Sequence, residues 1–336
     1  MEKSYYAIFW RVMMQRLVSG IQPTGKMHLG NWLGAVQNWV RLQSEVEAFF
    51  FIADLHSLTT LYQDPTPLRQ SKLDLAMDLL AAGIDPNRAC LFFQSDVPAH
   101  SELHVILSMM TPLPWLERVP TYKDKIDEIR EKDLNTYGFL GYPVLQAADI
   151  LIYKATAVPV GRDQLPHLEL TREIARRFNH LYRPLFPEPG DQITEFQMLP
   201  GLDGRKMSKS YGNTIPLSAS VDEVNRLMKS MLTDPARVRR TDPGTPEVCP
   251  VYAYHRIFNT TERCAEVASD CRSAAIGCVA CKQGCADRIN AQLEPVRERR
   301  AGITEASLKE ILDAGAQRAR AVAAVTLGEV RDAVGL

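Results

Sequence analysis

No apolar stretch in this chain of 336 residues is long enough to cross a bilayer. The longest runs, Tyr5 to Trp10 and Ala48 to Ala53, fall far short of the roughly 20 residues a spanning helix needs. An excess of charge of one sign is also missing. Lysine and arginine number 39 against 40 acidic residues, a net charge of −1, so any surface for nucleic acid must be a local patch. No secretory leader is expected: Arg11 follows the first apolar run at once and no small-residue cleavage site appears. Met13 and Met14 stand just before the first strand, which suggests a start placed too early, with an extra surface helix as the alternative. Without an export signal, seven cysteines do not read as a disulfide framework.

What is present is an alternation of strands and helices. Arg16–Ser19, Ala48–Ala53 and Cys90–Phe93 read as strands, the latter two apolar enough to be buried on both faces. Helical spacing runs from Asn31 through Leu33, Val36, Val40 and Leu42, and again from about Pro67 to Ala82 with Gly83 as the stop. This pattern predicts an α/β fold, a doubly wound parallel sheet with ligands beyond the carboxyl ends of its strands. After Ser210 the pattern turns helical. Val221–Met231 is one candidate, and Leu308–Val334 is the clearest, with Leu308, Ile311, Leu312, Ala319, Val322, Ala323 and Val330 on one face. The length suits two domains.

Two short stretches carry chemistry. Gly20-x-x-x-x-Gly25-Lys26 has the spacing of a phosphate loop, but Met27 stands where a magnesium-binding hydroxyl is required and Pro23 removes a backbone donor. His28-Leu29-Gly30-Asn31 fits better: it opens a helix, where backbone N–H groups and the dipole favour phosphate. Gly30 would let an adenine ring approach the backbone, and His28 and Asn31 would offer neutral donors. The second stretch, Gly204-Arg205-Lys206-Met207-Ser208-Lys209-Ser210, reads as a mobile cationic loop able to close on a polyphosphate.

Together with Ser19–Gly25, Trp32–Ala35, Ala53-Asp54-Leu55-His56, Tyr142–Tyr153 and Val158–Gly161, these stretches closely resemble the bacterial-type tryptophanyl-tRNA synthetases, class I aminoacyl-tRNA synthetases, from about Leu17 to the C-terminus. Leu29 and Asn31 depart from the strict letters of the first signature. The resemblance implies a Rossmann-like catalytic domain over 16–214, preceded by an extension at 1–15. An all-helical anticodon-binding domain would follow at 215–336, its last helix packing back on the catalytic half. It implies ATP with Mg2+ held by Gln22, Thr24, His28, Gly30, Asn31, Asp163, Gln164, Lys206, Met207, Ser208 and Lys209. His28, Asn31, Lys206 and Lys209 would act on the phosphates. It implies tryptophan held by Val18, His56, Tyr142, Gln146, Asp149, Val160 and Gln164, with Asp149 accepting the indole N–H. From spacing alone, Gln146 and Asp149 share a helix face and Asp149 could equally pair locally. Tyr-Pro-x-x-Gln-x-x-Asp also occurs in archaeal-type tyrosyl-tRNA synthetases, which keeps tyrosine as the rival substrate. Arg162 stands where an acidic residue is common.

The remaining partners implied are tRNA for tryptophan and a second copy of the chain, in the cytoplasm and without a membrane. A basic strip of Arg172, Arg176, Arg177 and Arg183 reads equally as RNA-facing or merely solvated, and Arg237, Arg239 and Arg240 form the densest basic patch. Six cysteines crowd between Cys249 and Cys285. One Cys278-x-x-Cys281 clip plus single thiols fits zinc or an iron–sulfur cubane. A subset of the family carries a Cys before Pro and then Cys-x6-Cys-x-x-Cys. Cys249, Cys271, Cys278 and Cys281 look like that set, which implies a four-iron–four-sulfur cluster with zinc as the alternative. Cys264 and Cys285 look like spares.

Overall fold

The computed structural model describes residues 15–119, 135–193 and 199–336, apart from the side chains of Asp163 and Ile193. The expected extension at 1–15 lies, but for Gln15, outside the described residues. Five parallel strands form one sheet in the order β3-β2-β1-β4-β5: β1 Arg16–Ile21, β2 Glu47–Ile52, β3 Ala89–Phe93, β4 Ala157–Val160 and β5 Gly190–Ile193. The chain steps outward from β1 to β3 and returns to the other side of β1 for β4. Between β1 and β4 the sheet therefore changes winding direction, which is where such folds open a crevice.

The apolar runs became the central strands for the reason their composition gives. Ala48 to Ile52 and the whole of β3 are buried, so both faces are covered and no polar alternation is tolerated. The helix after β1 (α1) runs as Leu29–Asn31, a π-helical stretch Trp32–Val36, and Gln37–Leu42. Such π-turns recur at functional sites. α2 (Asp54–Leu61), α3 (Leu68–Ala81), α4 (Ala99–Ser108), α5 (Leu113–Glu117), α6 (Tyr137–Leu151) and α7 (Leu165–Leu181) follow among the described residues of the sheet-bearing half. α6 begins earlier than the stretch from Tyr142 suggested, because the Thr136 hydroxyl accepts from Phe139 N–H and caps it.

From residue 215 onward the described elements are helical: α8 Val221–Ser230, α9 Pro250–Phe258, α10 Thr261–Arg272, α11 Cys278–Ala301 and α12 Glu305–Val334. The halves are not separate bodies. Leu17, Phe50 and Leu79 share one core cluster with Ile289, Leu293 and Leu308. α12 lies across β3 so closely that a Cβ on Gly315 would sit 2.0 Å from the Leu91 carbonyl oxygen. Arg318 then donates to the Ala89 carbonyl at 2.8 Å, and Arg331 grips Glu102 with two bonds of 2.6 and 2.7 Å. The edge strand is thus covered by the last helix. Among the described residues no helix is long and apolar enough to cross a membrane.

The expected arginine strip is spent on pairing. Arg172 bonds Asp191 and Glu169, Arg176 bonds Glu188 and Glu173, Arg177 donates to the Met110 carbonyl, and Arg183 pairs with Asp332. Arg237 corrects a second expectation. It is 9 % exposed and turned inward onto the Arg240 and Ile276 carbonyls, because a guanidinium with five donors satisfies several loop carbonyls at once. Arg239 and Arg240 remain exposed.

Candidate active site

A cavity of about 360 Å³ opens at the β1/β4 switch point, within the roughly 300–1,000 Å³ usual for small-molecule sites. Its wall holds Val18, Gln22, His56, Tyr142, Gln146, Asp149, Val160 and Gln164, side chains that sequence reading had scattered over 146 residues. Ser19, Trp39, Phe51 and His167 also line it and were not anticipated. Asp163 lies in the turn Arg162–Gln164 beside the wall, with its side chain outside the described part, and Arg162 is exposed.

Asp149 is 1 % exposed and held from three directions. Its Oδ1 accepts from Gln94 Nε2 at 2.7 Å and from His100 Nδ1 at 2.6 Å, and its Oδ2 accepts from His56 Nε2 at 2.8 Å. With Nδ1–H donating to the carboxylate, His100 Nε2 accepts from the Tyr153 hydroxyl at 2.8 Å. Burial alone would push this carboxyl up, but the bonds from His100 and His56 more than offset it and hold it below the ordinary range. The group is therefore an anion with three of its four acceptor positions filled. Asp149 is also one of the residues lining the cavity.

The helix-entry turn stands next to this cavity rather than in its wall. His28 Nδ1 accepts from Asn31 N–H at 3.3 Å while Asn31 Oδ1 accepts from His28 N–H at 3.3 Å, a reciprocal cap. Burial, with Lys209 nearby, lowers the imidazole to about 4, so the ring is neutral and Nε2–H and the Asn31 amide remain as donors. Gly30 has its side-chain space occupied by the His28 ring, 3.0 Å from where a Cβ would sit, and by Met207 sulfur at 3.5 Å. The close neighbours of Gly30 are therefore protein groups. Met27, the residue that spoiled the phosphate loop, is wholly buried.

The cationic loop is docked rather than free. Lys209 Nζ donates to the Gly25 carbonyl at 3.0 Å and to Thr24 Oγ1 at 3.3 Å. Asn213 fastens the base of the loop, accepting from Ser208 N–H at 2.8 Å and donating to the Lys206 carbonyl at 3.1 Å. Met207 is buried, Lys206 is exposed, and burial brings the Lys209 ammonium down to about 8. Of the two lysines, only Lys209 is brought against the turn at residues 22–28.

The six clustered cysteines are all free thiols. Cys264 donates to the His255 carbonyl and Cys285 is fully buried, as spares would be. Cys249, Cys271, Cys278 and Cys281 are half-buried. Among the described residues no three His, Cys, Asp or Glu side chains converge so as to hold a metal ion, so the expected metal set of Cys249, Cys271, Cys278 and Cys281 is not shown, for a cluster or for zinc. Burial pushes the Cys281 thiol up to about 12, with smaller additions from Cys249, Cys271 and Cys278. Arg237 Nη1 lies 3.7 Å from Cys271 sulfur and His255 Nε2 3.3 Å from Cys281 sulfur.

A doubly wound sheet, a cavity at its switch point and two cation- and donor-bearing turns beside it define a class of enzyme that activates a small carboxylic acid with a nucleotide. The family model for class I tRNA synthetases (W and Y) matches residues 14–294, and the chain belongs to that family. Among its relatives, the tryptophan–tRNA ligase of Thermotoga maritima is 51% identical over 325 residues, covering 96% of this chain and 99% of the relative. That of Ralstonia nicotianae is 43% identical over 394 residues, with 96% and 98% covered. The tryptophanyl-tRNA synthetase of Campylobacter jejuni, solved with ADP and tryptophan, superposes with a TM-score of 0.88 at 35% identity and covers 96% of this chain and 100% of that one.

Proposed function

We infer that this chain is an ATP-dependent tryptophan–tRNA ligase. The observation that carries the reading is the buried Asp149 carboxylate in the cavity wall, held by Gln94, His100 and His56, with Lys209 docked on Thr24 and Gly25 and a neutral His28 on the turn next to the cavity. Tryptophan enters with its indole N–H on Asp149 and its carboxylate towards the turn. That carboxylate attacks the α-phosphorus of ATP, bound as its magnesium complex, and the bond to the bridging oxygen breaks to release pyrophosphate. The terminal ribose hydroxyl of tRNA then attacks the acyl carbon of tryptophanyl-adenylate and AMP leaves. No protein nucleophile is used, so positioning and charge carry the rate. His28 Nε2–H and the Asn31 amide donate to phosphate oxygens, while Lys209, and Lys206 once the nucleotide draws it in, stabilise the departing pyrophosphate. Gln22, Thr24, Gly30, Asp163, Gln164, Met207 and Ser208 shape the nucleotide side of the site.

The test is pyrophosphate exchange into ATP, run separately with tryptophan and with tyrosine. Exchange with tryptophan alone is expected, and equal or faster exchange with tyrosine overturns the reading.

The division into a catalytic part at 16–214 and an anticodon-binding part at 215–336, with Arg239 and Arg240 towards tRNA in the cytoplasm, belongs to the same proposal. So does a four-iron–four-sulfur cluster on Cys249, Cys271, Cys278 and Cys281, supported by the sequence spacing of those cysteines. Anaerobically purified protein would then be brown, with broad absorption near about 400 nm. Colourless protein with one zinc would replace the cluster. Pairing of two copies draws support from Val105, Met109, Leu113 and Tyr137, exposed apolar side chains on α4, the turn after it, α5 and the start of α6. Met109→Asp would then convert a dimer to a monomer in sedimentation.

A further inference from the structure

Asp78, on α3, is a buried carboxylate that the chemistry above does not use. It is 1 % exposed, far from the cavity wall in sequence, and carries two different loads. Its Oδ2 accepts the backbone N–H of Met27 at 3.3 Å, one residue before His28. Its Oδ1 accepts from Arg300 Nε at 2.7 Å, a residue of α11 in the helical half, and Arg300 also reaches Asp74 at 3.3 Å. The neighbouring Arg299 donates to the Ala81 carbonyl at 2.6 Å, so the end of α11 is clamped to the end of α3.

The same short turn is tied at two further points, both by backbone alone. Leu217 N–H donates to the Met27 carbonyl at 2.8 Å, and Leu29 N–H donates to the Ile215 carbonyl at 3.0 Å. Residues 27–29 are therefore held by the segment after the lysine loop, by the local Asn31 cap and, from α3, by the Asp78 side chain. Its negative charge also reaches Lys209, offsetting part of the burial that lowers the ammonium. Burial pushes the Asp78 carboxyl up from its ordinary value, and Arg300, with the Met27 N–H, works against that by favouring the charged form.

We propose that Asp78 and Arg300 are positioning residues for adenylate formation, fixing the Met27–His28 backbone so that the His28 imidazole and Lys209 stand at the distance the phosphates require. The helical half thus takes part in the first chemical step while contributing nothing to the cavity wall. This rests on the assignment of His28 and Lys209 to the phosphates.

The experiment measures ATP–pyrophosphate exchange and equilibrium tryptophan binding on full-length Asp78→Asn, Arg300→Ala, Arg300→Lys and Lys209→Ala. Expected is a roughly tenfold or greater fall in exchange kcat for Asp78→Asn and Arg300→Ala, tryptophan affinity within about twofold, and recovery of most of the rate in Arg300→Lys. Where a single variant does not fold, the double variant Asp78→Leu/Arg300→Met removes the whole ion pair for an apolar one, which buried sites often accept. It should fold and still exchange slowly. Wild-type kcat in any folded variant lacking the pair overturns the proposal, as does an equal loss of tryptophan affinity. If Lys209→Ala exchanges at the wild-type rate, the phosphate assignment falls. If Lys209→Ala is slow while the Asp78 and Arg300 variants are normal, only the positioning role falls.

Discussion

Lys209 has its ammonium packed on Thr24 and Gly25 and brought down to about 8 by burial. Lys209→Ala is expected to slow pyrophosphate exchange by on the order of 10² to 10³ with tryptophan binding little changed, since its charge is needed where negative charge develops. The pH profile has a definite sign. The charged form is lost as pH rises through about 8, so kcat/KM for ATP should fall on the alkaline side at that value, and the limb should vanish in Lys209→Ala. Because the folded value lies below the unfolded 10.5, this group makes folding more favourable as pH rises from about 8 to 10.5. Asp149→Ala would leave the indole N–H unpaired at a cost of roughly 1–3 kcal/mol and shrink discrimination against phenylalanine by a similar amount. Unchanged relative affinities in a binding assay would remove Asp149 from that role. The sequence announced that a carboxylate in an apolar stretch must have donors. Which donors was not readable, because Gln94 and His100 come from a different strand-to-helix connection and meet Asp149 only through the fold.

Elements were most legible where burial on both faces left a continuous apolar run, as in β2 and β3. α2 and α4 escaped notice: each is only 8 to 10 residues long, with polar and apolar positions mixed. Arg237 was misjudged because a charge cluster in sequence does not say which member turns inward to satisfy carbonyls. The stripe on α12 was readable, but not that Gly315 would be its tightest point. Gly315→Ala is expected to force α12 off β3 at a cost on the order of 1–3 kcal/mol, seen as a lowered melting temperature and faster exchange of β3 amides. A melting temperature raised by the better helix former would mean that the contact is slack.

At the scale of the molecule, α11 is a rod with Cys278 at one end and Arg300 near the other, about 33 Å apart at 1.5 Å per residue. The two ends should fail differently. If the proposed cluster is bound, Cys278→Ser is expected to bleach it and weaken tRNA charging while leaving much of the pyrophosphate exchange, whereas Arg300→Ala strikes exchange first. Charging and exchange lost in step in folded Cys278→Ser protein would contradict that separation.

The contact between α12 and β3 also has a meaning in time. A ribosome delivers β3 early and Gly315 roughly 220 residues later, which at about 5–20 residues per second is an interval of about 10–45 s. Throughout it, the strand destined to lie under α12 is an apolar edge with unpaired backbone groups, the kind of surface that recruits neighbouring nascent chains. α12, synthesised long after β3, closes this edge of the sheet, so holdase chaperones should find a target in the β3 edge before α12 has emerged.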